Sequence, residues 1–212
     1  TVEGYRSVGG LVGLNKAEVL NSYSTGNVLG VESVGGRGGR DKGSLKEAGA
    51  DVYLSLGSNL GNREENLRKA VDMIGENPGI DIIKVSSIYE TEPMYVKEQD
   101  FFYNIAVYCR IDKKLGPFEV MGFLKGIEYE FGRKSIDEKY GPRIIDIDQL
   151  YCGKMTLRSD FLTIPHPKIK ERKFVLVPLS EIAPDLKIDG KKIEVILKSS
   201  SLTGKVTLIK SW

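Results

Sequence analysis

Residues 140–148 read Tyr-Gly-Pro-Arg-Ile-Ile-Asp-Ile-Asp. Polar and apolar side chains alternate in the second half of this stretch, which predicts a β-strand over residues 144–151. Successive strand residues point to opposite faces of a sheet, so Asp146 and Asp148 are expected to share a face. The stretch therefore places two carboxylates close together in the predicted fold.

Two neighbouring carboxylates repel each other, and a hard divalent cation is the usual compensation where all ligands are oxygens. Arg143 lies three residues before Asp146 and adds a cation that keeps its proton. Carboxylates that can bind a metal lie beside a guanidinium that can bind phosphate. This combination indicates nucleotide phosphoryl transfer, because that chemistry consists mostly of positioning the substrates and neutralising their charge. The alternative is a solvated Asp-x-Asp on an exposed strand.

The regions before this strand predict alternating strands and helices. Apolar residues at helical spacing predict one helix, Pro117 predicts the start of a second because proline suits a first turn, and apolar runs bounded by turn residues predict strands. In chain order these are a strand at 52–56, a helix at 63–74, strands at 81–89 and 102–111, a helix at 117–131 and the strand at 144–151. The β-α-β-β-α-β order predicts an α+β fold with a ferredoxin-like core.

Shorter signals complete this domain. Residues 57–62, Gly-Ser-Asn-Leu-Gly-Asn, predict a turn whose glycines and asparagines tolerate left-handed backbone. A helix-like patch at 179–182 and a hairpin around Asp189-Gly190 predict an extra C-terminal helix and hairpin.

Glycine marks a boundary near residue 49, because half of the chain's 24 glycines precede it. Ser7-Val-Gly-Gly-Leu-Val-Gly13 recurs as Ser33-Val-Gly-Gly-Arg-Gly-Gly39, and a fixed offset of this kind indicates a repeat. The segment resembles the GLUG repeat over residues 1–40. So few copies cannot bury a core, so residues 1–49 are predicted to be poorly ordered or docked, and residues 50–212 to form the main domain.

Composition excludes several classes of partner. Lys and Arg number 31 against 29 Asp and Glu, so bulk charge predicts neither a nucleic-acid nor a membrane partner. No apolar run approaches the roughly 18 residues of a membrane span, and no signal segment opens the sequence. Cys109 and Cys152 fall in apolar runs, which predicts buried thiols in a reducing cytoplasm, with a chance pair as the alternative.

Several further motifs occur in a fixed order from residue 51 to the end of the sequence. They are Gly57-Ser-Asn-Leu-Gly61, Thr91-Glu-Pro93, Phe102-Tyr-Asn104, Glu128 with Gly132-Arg133, the 140–148 stretch, Ile164-Pro-His-Pro167 and Arg172-Lys-Phe174. Together they resemble the 6-hydroxymethyl-7,8-dihydropterin pyrophosphokinases of the folate pathway. The resemblance implies transfer of pyrophosphate from ATP to a pterin alcohol, with release of AMP.

The resemblance also implies a catalytic group and a cofactor. Asp146 and Asp148 correspond to the family's ligands for two Mg²⁺ ions, and Arg133 and Arg143 to its phosphate-contacting arginines. An arginine that many relatives carry two residues after Arg133 is Ser135 here, so weaker phosphate binding than in those relatives is expected.

The resemblance implies two sets of substrate contacts. The ATP contacts are Glu128, Arg133, Lys134, Tyr140, Arg143, His166 and Arg172. The pterin contacts are Phe102 and Phe174 as stacking rings, Asn104 at the pyrimidine edge, and Gly57, Thr91, Pro93 and Met94. Without the resemblance, the two rings would be core residues, His166 a structural histidine and Glu128 a solvated helix carboxylate. Pro167 replaces a tyrosine found in some relatives.

The loops at 90–100 and 134–142 are predicted to close over the site and exclude water. The expected partners are ATP and the pterin, and the expected assembly is a monomer or weak homodimer. Two alternatives stay open: a pterin or nucleotide binder without turnover, and a surface-associated protein that acts through its GLUG-like segment.

Overall fold

A computed structural model describes residues 48–94, 98–132, 141–199 and 202–212. The main elements, in chain order, are β1 (Ala48–Ser58), α1 (Arg63–Gly75), β2 (Ile80–Val85), β3 (Ile88–Thr91), β4 (Phe102–Asp112), α2 (Pro117–Glu130), β5 (Asp146–Cys152), β6 (Leu157–Arg158), β7 (Thr163–Ile164), α3 (Lys173–Ile182), β8 (Lys187–Ile188), β9 (Lys191–Lys192), α4 (Ile193–Leu197) and β10 (Val206–Lys210). A mixed architecture of helices and an antiparallel sheet confirms the α+β prediction.

The main sheet has the strand order β10-β3-β4-β1-β5, and every pairing in it is antiparallel. Strand β2 also pairs with β4. Strand β1 therefore lies between β4 and β5, and β5 has a partner on one side only among the described strands. The two short hairpins β6-β7 and β8-β9 lie outside this sheet.

Helices α1 and α2 cover one face of the sheet. Leu67, Ala70 and Ile74 of α1 recur at helical spacing and are fully buried, and they pack with Val120 and Leu124 of α2. Apolar side chains of β1, β4 and β5 complete this cluster. The apolar stripe of each helix thus explains why both pack on the same face.

Helix α3 packs against the opposite face and forms a second apolar cluster there. Val175, Leu176 and Leu179 of α3 pack with Ala106 of β4 and Leu150 of β5. The two clusters place the sheet between layers of helices, so a side chain of β1, β4 or β5 belongs to one layer or the other according to the strand alternation.

The predicted strand at 81–89 is wrong in one respect, because the structure divides it into β2 and β3. Ser86 interrupts the pairing: its backbone N–H donates to Ala106 O, and its side-chain oxygen accepts from Ala106 N. A side-chain hydroxyl thus takes the place of a strand contact at this point.

The predicted turn at 57–62 is wrong at its start, because β1 continues through Gly57 and Ser58 and the chain turns only over residues 59–62. The explanation of the turn is also correct only in part. Gly61 has a φ of 63°, as expected for glycine in left-handed backbone. Asn62 instead has a φ of −78° and accepts a hydrogen bond from Glu65 N, so it caps α1. The asparagine serves as a helix cap rather than as a left-handed residue.

Other sequence predictions agree with the structure in varying degree. The hairpin forms with positive φ at Asp189 and Gly190. Helix α3 begins at residue 173, six residues before the predicted patch, and α4 and β10 were not predicted.

Cys109 and Cys152 are free and buried, as expected, and burial raises the pKa of Cys109 to about 12. None of the described helices is both long and apolar enough to cross a bilayer.

Candidate active site

One face of the sheet, at one end, carries many of the predicted site residues. Gly57 of β1 pairs with Asn104 of β4 on one side and with Asp146 of β5 on the other. Residues paired across strands have their side chains on the same face. Asp148 and Phe102 lie two residues away on the same strands and point to that face too. The structure therefore confirms that the two aspartates share a face.

Asp146 and Asp148 are each paired with an arginine. Arg143 Nη1 lies 3.0 Å from Asp146 Oδ2, and Arg172 Nη1 lies 2.8 Å from Asp148 Oδ2. The aspartate side chains are 26% and 28% exposed, so water screens these charges only in part. A guanidinium group binds phosphate oxygens as it binds carboxylate oxygens, so this cluster is suited to a polyphosphate.

His166 adds a neutral donor to the cluster. Its Nε2 lies 3.9 Å from Asp148 Oδ2, and its Nδ1 accepts a hydrogen bond from Lys168 N. That hydrogen bond assigns the proton of the neutral ring to Nε2. Burial lowers the pKa of His166 below its ordinary value, although Asp148 opposes this effect. At pH 7 the ring therefore presents an N–H group to the cluster.

The acidic pair also suits a magnesium ion. Mg²⁺ usually takes one or two protein carboxylates and fills its remaining positions with water and substrate phosphates. Asp146 and Asp148 supply two such carboxylates. Within the described ranges no group of three or more His, Cys, Asp or Glu residues forms a metal cage, so any site here would be completed by a ligand.

The predicted pterin contacts include a buried amide whose orientation is defined. Asn104 is 3% exposed, and its Nδ2 donates to Thr91 Oγ1 at 2.8 Å. A Cβ added at Gly57 would lie 2.9 Å from Asn104 Oδ1 and 3.6 Å from the Phe102 ring. Glycine at this position therefore leaves room beside both groups. Pro93, in the loop that follows β3, is buried.

Phe174 lies at the start of α3, over the same face. It is partly buried against the cluster that contains Ala106, two residues beyond Asn104 on β4. The Arg172 Cζ atom lies 5.6 Å from the centre of the Phe174 ring. The two predicted stacking rings, Phe102 and Phe174, thus belong to the same side of the sheet. Met94 is 41% exposed.

Glu128 is not a solvated helix carboxylate, which was the alternative that the sequence left open. It is 3% exposed, and its Oε1 accepts hydrogen bonds of 2.7 Å from Ile147 N and from Lys125 Nζ. Ile147 lies between the two aspartates on β5. The Glu128 side chain therefore satisfies a backbone donor of this strand and positions the acidic pair.

Asn59 is a further anchor of the site that sequence reasoning missed. It is 1% exposed, its Oδ1 accepts from Arg143 N at 2.7 Å, and its Nδ2 donates to Gln99 Oε1 and Asp100 O. One side chain thus connects the loop after β1 to the loops that precede β4 and β5. Its place in the Gly57-Ser-Asn motif was the available signal, but the motif was interpreted as a turn.

A cavity of about 280 Å³ opens beside Asp148 and His166. Its walls come from α2, including Met121 and Lys125, from β5 and from the loop at 159–163. Phe161 on that loop is 81% exposed. The cavity therefore adjoins the charged cluster and has a wall of both apolar and polar side chains.

Some predictions fall on residues that the structure does not describe. Arg133, Lys134 and Tyr140 lie outside the described residues, as do Ser135, most of the predicted 134–142 lid, residues 95–97 of the other predicted lid and residues 1–47.

Comparison with known proteins gives two matches to family models. Residues 53–184 match the family described as 7,8-dihydro-6-hydroxymethylpterin-pyrophosphokinase. Residues 4–29 match the GLUG motif.

Curated relatives align with the same domain. The chain is 39% identical to a 2-amino-4-hydroxy-6-hydroxymethyldihydropteridine pyrophosphokinase of Bacillus subtilis, over 68% of the chain and 84% of that protein. It is 40% identical to the protein of the same name from Methylorubrum extorquens, over 72% of the chain and 95% of that protein. It is 46% identical to the mitochondrial folate synthesis bifunctional protein of Pisum sativum, over 62% of the chain, but spans only 25% of that protein.

Solved structures resemble the fold at low sequence identity. A crystal structure of Plasmodium falciparum HPPK-DHPS A437G with STZ-DHP matches with a TM-score of 0.57 at 16% identity. The match covers 73% of this chain and 46% of the other. This likeness supports the α+β fold.

Proposed function

Because the chain belongs to the 7,8-dihydro-6-hydroxymethylpterin-pyrophosphokinase family, we propose that it transfers pyrophosphate from ATP to the hydroxyl of 6-hydroxymethyl-7,8-dihydropterin and releases AMP. The observation that carries this proposal is the row of Asn104, Gly57 and Asp146 across three strands. This row supports the proposal, because an amide that suits the edge of a heterocycle lies near carboxylates that suit a metal-bound polyphosphate.

In the proposed reaction the hydroxymethyl oxygen attacks the β-phosphorus of ATP, and the hydroxyl proton is released to solvent. The bond from that phosphorus to the oxygen bridging the α- and β-phosphates breaks, and AMP leaves with the bonding electrons. Negative charge gathers on the phosphoryl oxygens as this happens, so fixed donors aimed at those oxygens lower the barrier. The reaction needs no covalent enzyme intermediate.

The phosphate end of the site would act mainly through five described side chains. Arg143 and Arg172, now paired with the aspartates, would bind phosphate oxygens, and His166 would donate from Nε2. Asp146 and Asp148 would hold Mg²⁺, for which we propose two ions. When bound, the metal supplies further neutralisation of the polyphosphate. Arg133, Lys134 and Tyr140 are proposed as additional ATP contacts, and Glu128 as a group that positions β5.

The pterin end would bind the flat ring by stacking and by its polar edge. Phe102 and Phe174 are proposed to lie on either side of the ring, because stacked aromatic contacts combine apolar burial with favourable geometry. Asn104 would bond the pyrimidine edge, and the open space at Gly57 allows a close approach. Thr91 orients Asn104, while Pro93 and Met94 would line the entrance.

Two architectural features belong to this proposal. We propose that residues 50–212 form the catalytic domain and residues 1–49 a separate GLUG-like segment. We also propose that the core is ferredoxin-like. The order β5-β1-β4, with β2 and β3 on the far side of β4 and two helices on one face, supports that assignment.

The test is to identify the nucleotide product. The full chain is incubated with ATP, the pterin alcohol and Mg²⁺, and the nucleotides are separated by ion-exchange chromatography. AMP should form, and should not form when the pterin is omitted or the metal is chelated. ADP as the product, or ATP hydrolysis independent of the pterin, would contradict the proposal.

A matched pair of substitutions ties the activity to this cluster. Asp148→Asn removes one charge and should lower the rate by at least about 10²-fold, the typical effect of removing a group that stabilises the transition state. Asp185→Asn is the control, because Asp185 is an exposed aspartate paired with Lys192 away from the site. Equal activity of the two variants would place the chemistry elsewhere.

A further inference from the structure

Arg63, the first residue of α1, contacts three groups that lie outside the helix. Its Nη1 donates to Glu90 Oε1 at 3.1 Å and to Phe101 O at 2.6 Å, and its Cζ lies 3.7 Å from the centre of the Tyr103 ring. The Arg63 side chain is 25% exposed, so water screens these contacts only in part. One guanidinium group thus connects the start of α1 to β3, to β4 and to the loop before β4.

Helix α1 itself gains little from a cation at this position. The first turn of a helix favours negative charge, because its backbone N–H groups lack partners within the helix, and in α1 that turn carries Glu64 and Glu65 after the Asn62 cap. Arg68 of the same helix has the ordinary arrangement, an ion pair with Glu64 one turn earlier. The contacts of Arg63 are therefore explained by what they hold outside the helix.

Each group that Arg63 contacts comes directly before a proposed pterin contact. The neighbours in sequence are Glu90 and Thr91, Phe101 and Phe102, and Tyr103 and Asn104. Neighbouring strand residues point to opposite faces of a sheet, and Tyr103 packs with the apolar cluster under α1 and α2. Arg63 therefore lies on the face opposite the candidate site, directly behind the residues proposed to bind the pterin.

The Arg63 contacts lie where the pairing of β3 with β4 ends. Only three residue pairs join these strands, and the last of them is Thr91 with Phe102. Glu90 and Tyr103 form the pair before it, so the guanidinium bonds to one member and lies over the ring of the other. The end of a strand ladder opens more readily than its centre, and contacts to both strands oppose that opening.

We propose that Arg63 is a positioning residue for the pterin site, which fixes Phe102, Thr91 and Asn104 from the opposite face of the sheet. Thr91 accepts the 2.8 Å hydrogen bond from Asn104 Nδ2, so a shift of β3 against β4 would displace this amide and the Phe102 ring together. Arginine suits the role, because a planar guanidinium can stack on a ring and donate hydrogen bonds in its own plane. The inference rests on the proposed function in taking the pterin as the ligand.

The first measurement uses the free, full chain and needs no ligand. NMR follows solvent exchange of the Asn104 Nδ2 hydrogens, which are buried against Thr91. Arg63→Met keeps the apolar stem and removes the guanidinium, and should make this exchange roughly tenfold faster, the effect of losing about one hydrogen bond to a charged group. Arg68→Met is the matched control, because Arg68 contacts Glu64 and Trp212 instead, and should exchange as wild type does.

The second measurement is calorimetry with Mg²⁺ present. An α,β-methylene analogue of ATP, which cannot transfer pyrophosphate, is titrated first and the pterin alcohol second. Arg63→Met should bind the pterin roughly tenfold more weakly than wild type and the nucleotide analogue within about twofold, and Arg68→Met should match wild type for both. Turnover should show the same division, with a raised KM for the pterin and little change in the KM for ATP.

Equal weakening of both ligands in Arg63→Met would show an arginine that only supports the fold, and an unchanged pterin affinity would show one without influence on the site. Either result would overturn the inference. If Arg63→Met does not fold, Arg63→Lys decides the question, because lysine keeps the charge but lacks the planar group. It should weaken pterin binding more than nucleotide binding, and the same two results would overturn the inference.

The two measurements also separate the inference from the proposed function. Faster exchange at Asn104 in Arg63→Met, in a protein whose wild-type chain binds no pterin, would leave Arg63 as the residue that positions this amide and would remove the pterin as its ligand. Pterin binding that is the same in wild type and in Arg63→Met would overturn the inference and leave the proposed function standing.

Discussion

On the face of the sheet that α1 and α2 cover, β1 and β4 contribute apolar side chains along most of their length. These are Val52, Leu54 and Leu56 of β1 and Ile105, Val107, Cys109 and Ile111 of β4. On the opposite face the same two strands change character along their length. Tyr53 and Tyr108 stack there with ring centres 5.0 Å apart, whereas Gly57 and Asn104 at the other end belong to the candidate site.

The difference shows how one strand can serve stability and chemistry at once. Side chains alternate between faces with a period of two, so Leu56 and Gly57 are neighbours in sequence but belong to separate layers. The apolar face keeps the strands in register, and the register aligns Asn104, Gly57 and Asp146. Substitutions on the two faces should therefore separate stability from activity.

The largest effect is expected on the apolar face. Leu56 is fully buried, and Leu56→Ala should lower the free energy of unfolding by about 2–5 kcal/mol, through lost apolar burial and a residual cavity. Chemical denaturation measures the loss. Turnover of the folded fraction, assayed well below the melting transition, should stay within a few-fold of wild type. Abolished turnover in folded protein would show that the two faces are not separable.

Gly57→Ala tests the neighbouring residue on the site face. The added methyl would lie 2.9 Å from Asn104 Oδ1, so the amide must shift. We expect a roughly tenfold loss of pterin affinity, since small displacements in a site are costly, with ATP affinity unchanged in calorimetry. Gly126→Ala in α2 is the control, because its Cβ would meet nothing within 4 Å and should stabilise the helix by up to about 1 kcal/mol. Similar pterin affinity in both variants would contradict the assignment of Gly57.

Phe174→Ala should weaken pterin binding by about 1 kcal/mol, the scale of a lost aromatic stacking contact. ATP affinity should change much less, because the phosphate contacts remain. Phe118→Ala, at a ring that is 41% exposed on α2, provides the matched control. Equal weakening of both substrates by Phe174→Ala would mean that the ring only supports the packing of α3.

The smallest effect concerns Tyr89, which pairs with Asn104 but serves α3 rather than the proposed ligands. Its hydroxyl donates to Glu181 Oε2, and burial together with this carboxylate raises the pKa of Tyr89 to about 12. The folded pKa is above the unfolded value near 10, so the stabilisation is complete below pH 10 and is lost as the pH rises towards 12. The Tyr89 side chain is partly exposed, so the loss in free energy of unfolding should be well under roughly 1.4 kcal/mol for each unit of pKa shift, the value for an unscreened group.

Tyr89→Phe checks the Tyr89 prediction. Its free energy of unfolding should fall less steeply than that of wild type between pH 10 and pH 12, in matched denaturation curves. Identical slopes would show that Tyr89 does not couple folding to pH.

The sequence was most informative where a local pattern determines the element. The apolar spacing in residues 63–74 and the proline at 117 predicted α1 and α2 nearly to their ends, and the alternation after Arg143 predicted that Asp146 and Asp148 share a face. In each case the period of the hydrophobic residues agrees with the observed packing.

Elements that depend on distant partners were missed. Strand β10 has mostly exposed side chains and forms by pairing with β3. Its side chains therefore do not alternate between buried and exposed, and no such pattern predicts the strand. Helix α3 contains Pro178, which is unfavourable inside a helix, and burial of its apolar side chains outweighs that preference. Asn59 was missed for a related reason, because the role of an amide depends on which groups surround it.

The central position of β1 also bears on the order in which the molecule folds. Leu54 of β1 pairs with Val107 and with Gln149, so the first strand of the sheet acquires its neighbours only after long intervening segments have been made. Long-range pairing of this kind slows folding, because loop closure precedes the stabilising contacts. We therefore expect β1 to remain unpaired on the side of β5 until residues 146–152 have been synthesised. The cluster around Asp146 and Asp148 should be among the last features to form.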